Sequence, residues 1–197
     1  MNIHKSEITL VTVVNTQFTN PKFPKKKKTK QMKKKNQKPP KQEEEQQQQQ
    51  DKQQYWLLKT EIGEWSWEDQ SSNGGKSKWD GVKNRQAQKY LKSMKMGDLC
   101  FFYHSGNKAR RIVGVVTVVK ECYDDGDDGG VAVDVAAVGE MRRPVDLAEM
   151  KMDDRMKASG FALFRQPRLS VVPVSREVWE RVCELGGGYE GDGEDEV

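Results

Sequence analysis

"LCFFYHSGNKARRIVGVVTVVKECY", residues 99–123, decides the fold. An apolar run through Tyr103 turns polar at once with His104, Ser105 and Gly106, and a short basic loop leads into a long β-branched run from Ile112. Aromatic and β-branched residues at this density favour strands, and so short a connection makes the two strands antiparallel neighbours. Gly114, inside the second run, marks a bulge. Alternation along the first strand sends Tyr103 and Ser105 to one face and His104 to the other. This strand therefore anchors on Phe101 and Phe102 and delivers hydrogen-bonding groups at its end. His104 is one of two histidines, and the other, His4, lies in a tail.

Working outward, "YWLLKTE" (55–61) alternates as a strand whose polar residues all lie at its far end, which places that end at a rim. Ser66 and Asp69 have capping-box spacing and predict one short helical turn, and "SSNGGKSK" (71–78) reads as a glycine-rich loop. Ala87, Tyr90, Leu91 and Met94 recur with helical period, so 85–95 is predicted as an amphipathic helix capped by Asn84 and ended by Gly97. "DDGDDGG" (124–130) is an acidic turn without the terminal glutamate of a calcium loop, and "VAVDVAAV" (131–138) is the returning strand. "DLAEMK" predicts a short helix, and "FALFRQPRLSVVPVS" (161–175) two more strand pieces. Ser175 then caps a closing helix with Trp179, Val182 and Leu185 on one face. This order predicts an α+β domain, a small mainly antiparallel barrel of mixed strands flanked by helices. The strand–helix alternation of a parallel nucleotide-binding sheet is absent.

Composition divides the chain. Residues 1–54 hold 13 lysines against five acids and contain neither Trp nor Tyr, which leaves 21 basic and 25 acidic residues for the remainder. The Lys/Gln/Glu/Pro mixture of 1–54 buries too little apolar surface to fold and predicts a disordered basic tail. A single domain is expected over 55–186, and "GGGYEGDGEDEV" predicts a disordered acidic tail over 187–197. Lys25, Lys26, Lys27, Lys28 and Lys30 have the density of a nuclear import signal, so a nuclear import receptor is an expected partner and the nucleus the expected location. Three scattered cysteines without a CxxC pair argue against zinc and for a reducing compartment. No apolar run approaches the ~20 residues of a membrane helix.

No GxSxG elbow, P-loop, GxGxxG or HExxH is present, and neighbours on a strand such as His104 and Ser105 point apart, so the reading is non-enzymatic. "YWLLKTE", "KWDGVKN" and "FFYHSG" combine aromatic faces with donors and acceptors, the materials of a pocket for a flat heterocycle. Trp67 and Trp179 read as packing. Trp56, Trp79 and Tyr103, beside polar loop residues, read as candidate walls, and Gly81 lets backbone approach a ligand.

Together, "YWLLKTE", "WDGVKNRQAQKYLKSMKMGD", "FFYHSG", "VGVVTVV" and "RQPRLSVVPVS" resemble the EVE domain family across Tyr55 to about Leu185. The resemblance implies a PUA-like pseudo-barrel and a reader of nucleic acid containing modified bases, with modified cytosine such as 5-methylcytosine in DNA the leading ligand. Modified RNA, and a protein-interaction role without base binding, stay open beside it. Carried over to matching positions, it implies a pocket drawn from Trp56, Lys59, Glu61, Trp79, Gly81, Val82, Asn84, Tyr103, His104 and Ser105. Within that set Tyr103 and Ser105 are expected to line it, with His104 hydrogen-bonding behind them. Lys83, Arg85 and Arg168 are candidate phosphate contacts. It implies no cofactor, metal or membrane. The chain departs from the family's pattern at Ile62, where proline is common, and in the shortened segment 124–130.

Overall fold

The computed structural model describes residues 53–193 except 73, 108, 127 and 128; the expected basic tail and import signal lie outside the described residues. Six strands form one mixed sheet: β1 (Tyr55–Glu61), β2 (Lys76–Trp79), β3 (Leu99–Ser105), β4 (Arg111–Asp125), β5 (Gly130–Asp146) and β6 (Val171–Val174). Their order is β2-β5-β4-β3-β1-β6. The helices are α1 (Trp67–Ser72), α2 (Arg85–Ser93), α3 (Leu147–Met152), α4 (Asp154–Ala158), α5 (Ala162–Arg165) and α6 (Arg176–Gly186). The fold is α+β as expected, and the pairing is mainly antiparallel, but the sheet stays open: β2 and β6 are its two edges.

One pairing breaks the antiparallel pattern. β1 and β3 run parallel, in register from Tyr55 opposite Leu99 to Glu61 opposite Ser105. A parallel pair needs a crossover between its strands, and here α1, β2 and α2 supply it. The pairing is held at both ends. Trp56 Nε1 donates to Asp98 Oδ2 at 2.8 Å at the start, and Ser105 Oγ donates to the Thr60 carbonyl at 3.0 Å at the finish.

Phe101 and Phe102, adjacent on β3, organise the two faces of the sheet. Phe101 stacks on Trp179 of α6 with ring centroids 3.9 Å apart, and Tyr55 stacks on the same indole at 4.6 Å. Phe102 meets Trp67 of α1 at 5.4 Å and Trp79 of β2 at 5.7 Å, both edge-on. Edge-to-face and offset-stacked rings are the favoured arrangements of aromatic pairs. Trp67 and Trp179 are packing residues, as their sequence positions predicted.

Three expectations need correction. The loop read over 71–78 contains a strand, because Lys76–Trp79 pairs antiparallel with Val133–Ala136 of β5. The first of the two strand pieces expected in 161–175 is the short helix α5, since a four-residue apolar run has no decisive period. Gly187–Gly193, expected as disordered tail, packs on β5. Tyr189 bridges Met141, the Glu190 N–H donates to the Glu140 carbonyl at 2.9 Å, and Arg142 grips both carboxylate oxygens of Asp192. Residues 194–197 lie outside the described part.

Gly114 fulfils its predicted role and adds a second. The β3/β4 register shifts between Phe102 and Tyr103, where Val113 is the extra residue, and the β4/β5 register shifts between Ile112 and Gly114. A Cβ on Gly114 would lie 2.5 Å from the Trp67 indole. That ring is buried against Phe102 and cannot step aside. Gly114→Ala is therefore expected to cost about 1–3 kcal/mol of stability by overpacking. In urea unfolding, combining it with Trp67→Leu should cost less than the two single changes summed, by at least about 0.5 kcal/mol.

Candidate functional site

The polar ends of β1 and β3 arrive side by side, Lys59 opposite Tyr103, Thr60 opposite His104 and Glu61 opposite Ser105. Two cavities open at this rim. The first, about 500 Å³, takes Lys59 and Thr60 from β1, Glu64 and Trp65 from the turn that follows, and Ser170. Its remaining wall is the run from Lys78 to Lys83, the end of β2 and the loop before α2. We call it the tryptophan cavity. The second, about 370 Å³, takes Lys59, Glu61, Tyr103, Ser105 and Gly106 from the strand ends. Arg110, Leu147, Lys151, Leu163, Phe164 and Pro167 complete it. We call it the tyrosine cavity. Lys59 belongs to both.

The sheet thus divides the residues singled out from the sequence. Trp79, Gly81, Val82 and Lys83 line the tryptophan cavity; Glu61, Tyr103 and Ser105 line the tyrosine cavity. Trp56 lines neither. It sits three residues before Lys59, about 10 Å along the strand, buried with its indole N–H committed to Asp98. Asn84 is the helix cap of α2, its Oδ1 accepting from the Gln86 and Ala87 N–H groups at 2.8 and 3.1 Å. Arg85 begins that helix, exposed and outside both cavities. Arg168 is exposed between Pro167, of the tyrosine cavity, and Ser170, of the tryptophan cavity.

His104 corrects the expected role most directly. It is 4% exposed, lies edge-on to Phe102 at 5.6 Å, and its Nε2 has no hydrogen-bond partner. It is a packed core residue that lines neither cavity, and its Nε2 does not make the hydrogen bond expected behind the wall. Burial pushes its pKa below the ordinary histidine value, against a smaller opposing pull from Glu68.

Trp65 is the aromatic wall that the sequence reading missed, and Thr60, Glu64, Lys78, Asp80 and Ser170 of the same cavity were missed with it. The Trp65 ring is half-buried, and its Nε1 donates to Gln70 Oε1 at 3.0 Å. Gln70 is itself fully buried, accepting from Ser77 Oγ at 2.6 Å and donating to the Gly75 carbonyl at 2.7 Å. A fixed amide thus orients the indole. The only signal in the sequence was the aromatic pair "WSW", of which the second member is the packing residue. Gly81 has φ 68°, and a Cβ there would meet nothing within 4 Å, so its backbone fronts open space at the cavity. The shortened turn reaches this rim as well: Asp125 takes Lys78 Nζ at 2.9 Å, and Asp80 takes it at 2.8 Å.

Lys59 is the electrostatic feature of the rim. Its ammonium donates to the Pro167 carbonyl at 3.2 Å, no carboxylate pairs with it among the described residues, and burial lowers its pKa to about 8. Tyr103, 3% exposed, is pushed up to about 12 by burial.

The EVE domain family matches residues 54–185, and the chain belongs to it. Thymocyte nuclear protein 1 of Mus musculus is 34% identical over 164 residues, 66% of this chain and 73% of that protein. Among solved structures, human THYN1 protein in complex with 5-methylcytosine-containing DNA is 32% identical, with a TM-score of 0.62 over 68% of this chain and 97% of that one. Protein Atu2648 of Agrobacterium tumefaciens is 38% identical, with a TM-score of 0.64 over 68% of this chain and 94% of its own.

The depressed lysine makes a pH prediction with a definite sign. With a folded pKa near 8 against an ordinary 10.5, the unfolded chain binds more protons between those values, so the cost of burying the ammonium is relieved as pH rises through that window. The stability difference between wild type and Lys59→Met should shift in favour of the wild type from pH 8 towards 10.5. A ¹³C titration of the lysine side chains should show Lys59 titrating near 8.

Proposed function

We propose that this chain is a non-enzymatic reader of a modified nucleobase, with modified cytosine in DNA its ligand, and that the base enters the tryptophan cavity. The observation that carries this reading is the composition of that cavity. Two tryptophans supply flat apolar surface; Lys59, Thr60, Asp80 and Ser170, with the backbone at Gly81, supply edge hydrogen-bonding groups. Its volume of about 500 Å³ lies within the usual range for small-ligand sites. A relative of the same fold, human THYN1 protein, has been solved with 5-methylcytosine-containing DNA. A base extruded from a duplex costs a few kcal/mol, so selectivity must come from contacts that only the modified base completes.

The 590 Å³ cavity beside α6 is larger but argues against itself. Glu180, Glu184 and Asp192 line it, each already paired with an arginine, and no lysine or arginine is in its lining to attract a polyanion. The folded part as a whole is acidic, with 21 basic against 25 acidic residues from 55 onward, so non-specific backbone attraction does not supply the selectivity. That attraction, and nuclear import through an import receptor, are assigned in this proposal to the lysines of 1–54.

Trp79 is 7% exposed and packs on Phe102, so Trp79→Ala would disturb the core as well as the cavity, by about 3–5 kcal/mol. Trp65→Ala is the cleaner test because the ring is half-buried at the rim. Base–aromatic stacking is worth about 1–3 kcal/mol, so this variant should bind a 5-methylcytosine oligonucleotide roughly 5- to 150-fold more weakly while its unfolding midpoint stays close to wild type. Fluorescence titration against the matched unmodified oligonucleotide is the measurement. Equal affinity of the wild type for the two oligonucleotides would overturn the proposal.

A further inference from the structure

The tyrosine cavity does not end at Lys151. A further cavity of about 500 Å³ is lined by Asn107, Arg110, Asp146, Leu147, Ala148 and Lys151. Arg110, Leu147 and Lys151 line both spaces, as Lys59 joins the tyrosine cavity to the tryptophan cavity. The three openings are therefore neighbours that share their walls in sequence, from the tryptophan cavity past the strand ends to the start of α3, and are taken together as one groove.

Five cations line this groove, and of these Lys78 alone is ion-paired among the described residues. Ten basic residues form ion pairs among the described residues: Lys78, Lys95, Arg111 and Lys120 on or beside the sheet, with Arg142, Arg143, Arg155, Lys157, Arg176 and Arg181 around β5 and the helices. Among the described residues Lys59, Lys83, Arg110 and Lys151 form none; Arg85, Lys89, Lys92, Arg165 and Arg168 form none either, but they line none of the three openings. Arg110 donates only to neutral acceptors, the Gly106 carbonyl at 2.9 Å and Asn107 Oδ1 at 3.3 Å, which fix its guanidinium on the loop after β3. Four carboxylates line the groove, Glu61, Glu64, Asp80 and Asp146; Asp80 is paired with Lys78 at 2.8 Å, and Asp146 is turned to Arg111 at 3.9 Å. The groove keeps a small surplus of positive charge, five cations against four carboxylates, on a domain whose total charge is negative. Charges paired internally hold the fold; cations left unpaired along one open track suit an extended polyanion that no single acidic side chain replaces.

We propose that this groove is a phosphodiester subsite: Arg110 and Lys151 hold the backbone phosphate of a nucleotide flanking the base in the tryptophan cavity, with Lys59 between the two. This rests on the tryptophan cavity being the base site. The subsite explains how an acidic domain engages a polyanion. It needs few contacts, because they are concentrated beside the pocket. It also separates two kinds of affinity, since a free nucleoside fills the pocket but has no phosphate for the groove.

Arg110→Gln, Lys151→Gln and the double variant of the full chain test it, with Lys89→Gln as a control that removes the same charge from the exposed side of α2. Each groove variant should bind a 5-methylcytosine oligonucleotide roughly three- to tenfold more weakly and lower the slope of log affinity against log salt by about one. Free 5-methyldeoxycytidine should bind all four proteins as it binds the wild type, and the control should match the wild type on the oligonucleotide. Wild-type affinity and an unchanged salt slope in the double variant would overturn the proposal. So would an equal loss in Lys89→Gln, which would make net charge the cause. A wild type indifferent to methylation, with the groove variants still weakened on both oligonucleotides, would keep the subsite and remove the base site instead.

Discussion

The parallel pairing of β1 with β3 is the constraint on which the rest of the rim depends. Antiparallel neighbours can be joined by a tight turn, but parallel neighbours cannot, so the chain leaving Glu61 must travel back to the start of the sheet before it can enter Leu99. That return segment carries Trp65, the Gln70 amide that orients it, the edge strand β2 and the loop through Gly81 to Lys83. One topological necessity thus assembles the walls of the tryptophan cavity and its polar floor. The hydrogen bonds of Trp56 to Asp98 and of Ser105 to Thr60 clamp the register at each end. Asp98 is tied further by the Lys95 N–H at 2.9 Å, which joins the end of the return segment to the start of β1. Trp56 therefore serves the site from a distance, by fixing the strand that presents Lys59.

Much of this was legible in the sequence, and the failures have a common cause. Strongly patterned segments read correctly: β1 with its polar end, the capped helices α2 and α6, and the β3–β4 pair with its glycine. β2 failed because Lys-Ser-Lys-Trp has no β-branched residue and sits at the edge of the sheet, where pairing with β5 and not propensity makes it a strand. α5 failed because a run of four apolar residues suits either period. For the site, alternation separated Tyr103 and Ser105 from His104 correctly. It could not show that Trp79 would come to the opposite side of the sheet, since that depends on which strands are neighbours. Motif residues adjacent in sequence thus serve different ends. Asn84 caps a helix while Lys83 faces a cavity, and Thr60 lines one cavity while Glu61 lines the other.

Electrostatics follow the same division between frame and rim. In the frame, charge is neutralised locally, as where Arg181 and Asp153 tie α6 to the start of α4, or Arg143 and Glu149 tie β5 to α3. At the rim, Lys59 is held partly out of water with a backbone carbonyl as its one partner among the described residues. A cation so placed opposes folding slightly, and an arrangement that weakens the fold without stiffening it is characteristic of surfaces that meet a ligand. His104 is the contrasting case. A buried ring with an unpartnered Nε2 packs against Phe102 and lines neither cavity.

The docked C-terminal segment has a consequence for where this domain ends. The family match stops at residue 185, yet Tyr189 lies edge-on to Trp179 at 6.3 Å, and Glu190 passes so close over Gly139 that no side chain fits beneath it. A boundary drawn at the end of the match would strip the cover from Trp179 and Met141. It would also leave the Glu140 carbonyl and the Arg142 guanidinium without the partners that now face them. The same indole supports Phe101 on β3, so wear at this distant margin would be felt in the strand whose far end shapes the groove. The physical unit is thus longer than the family match by a short acidic hem.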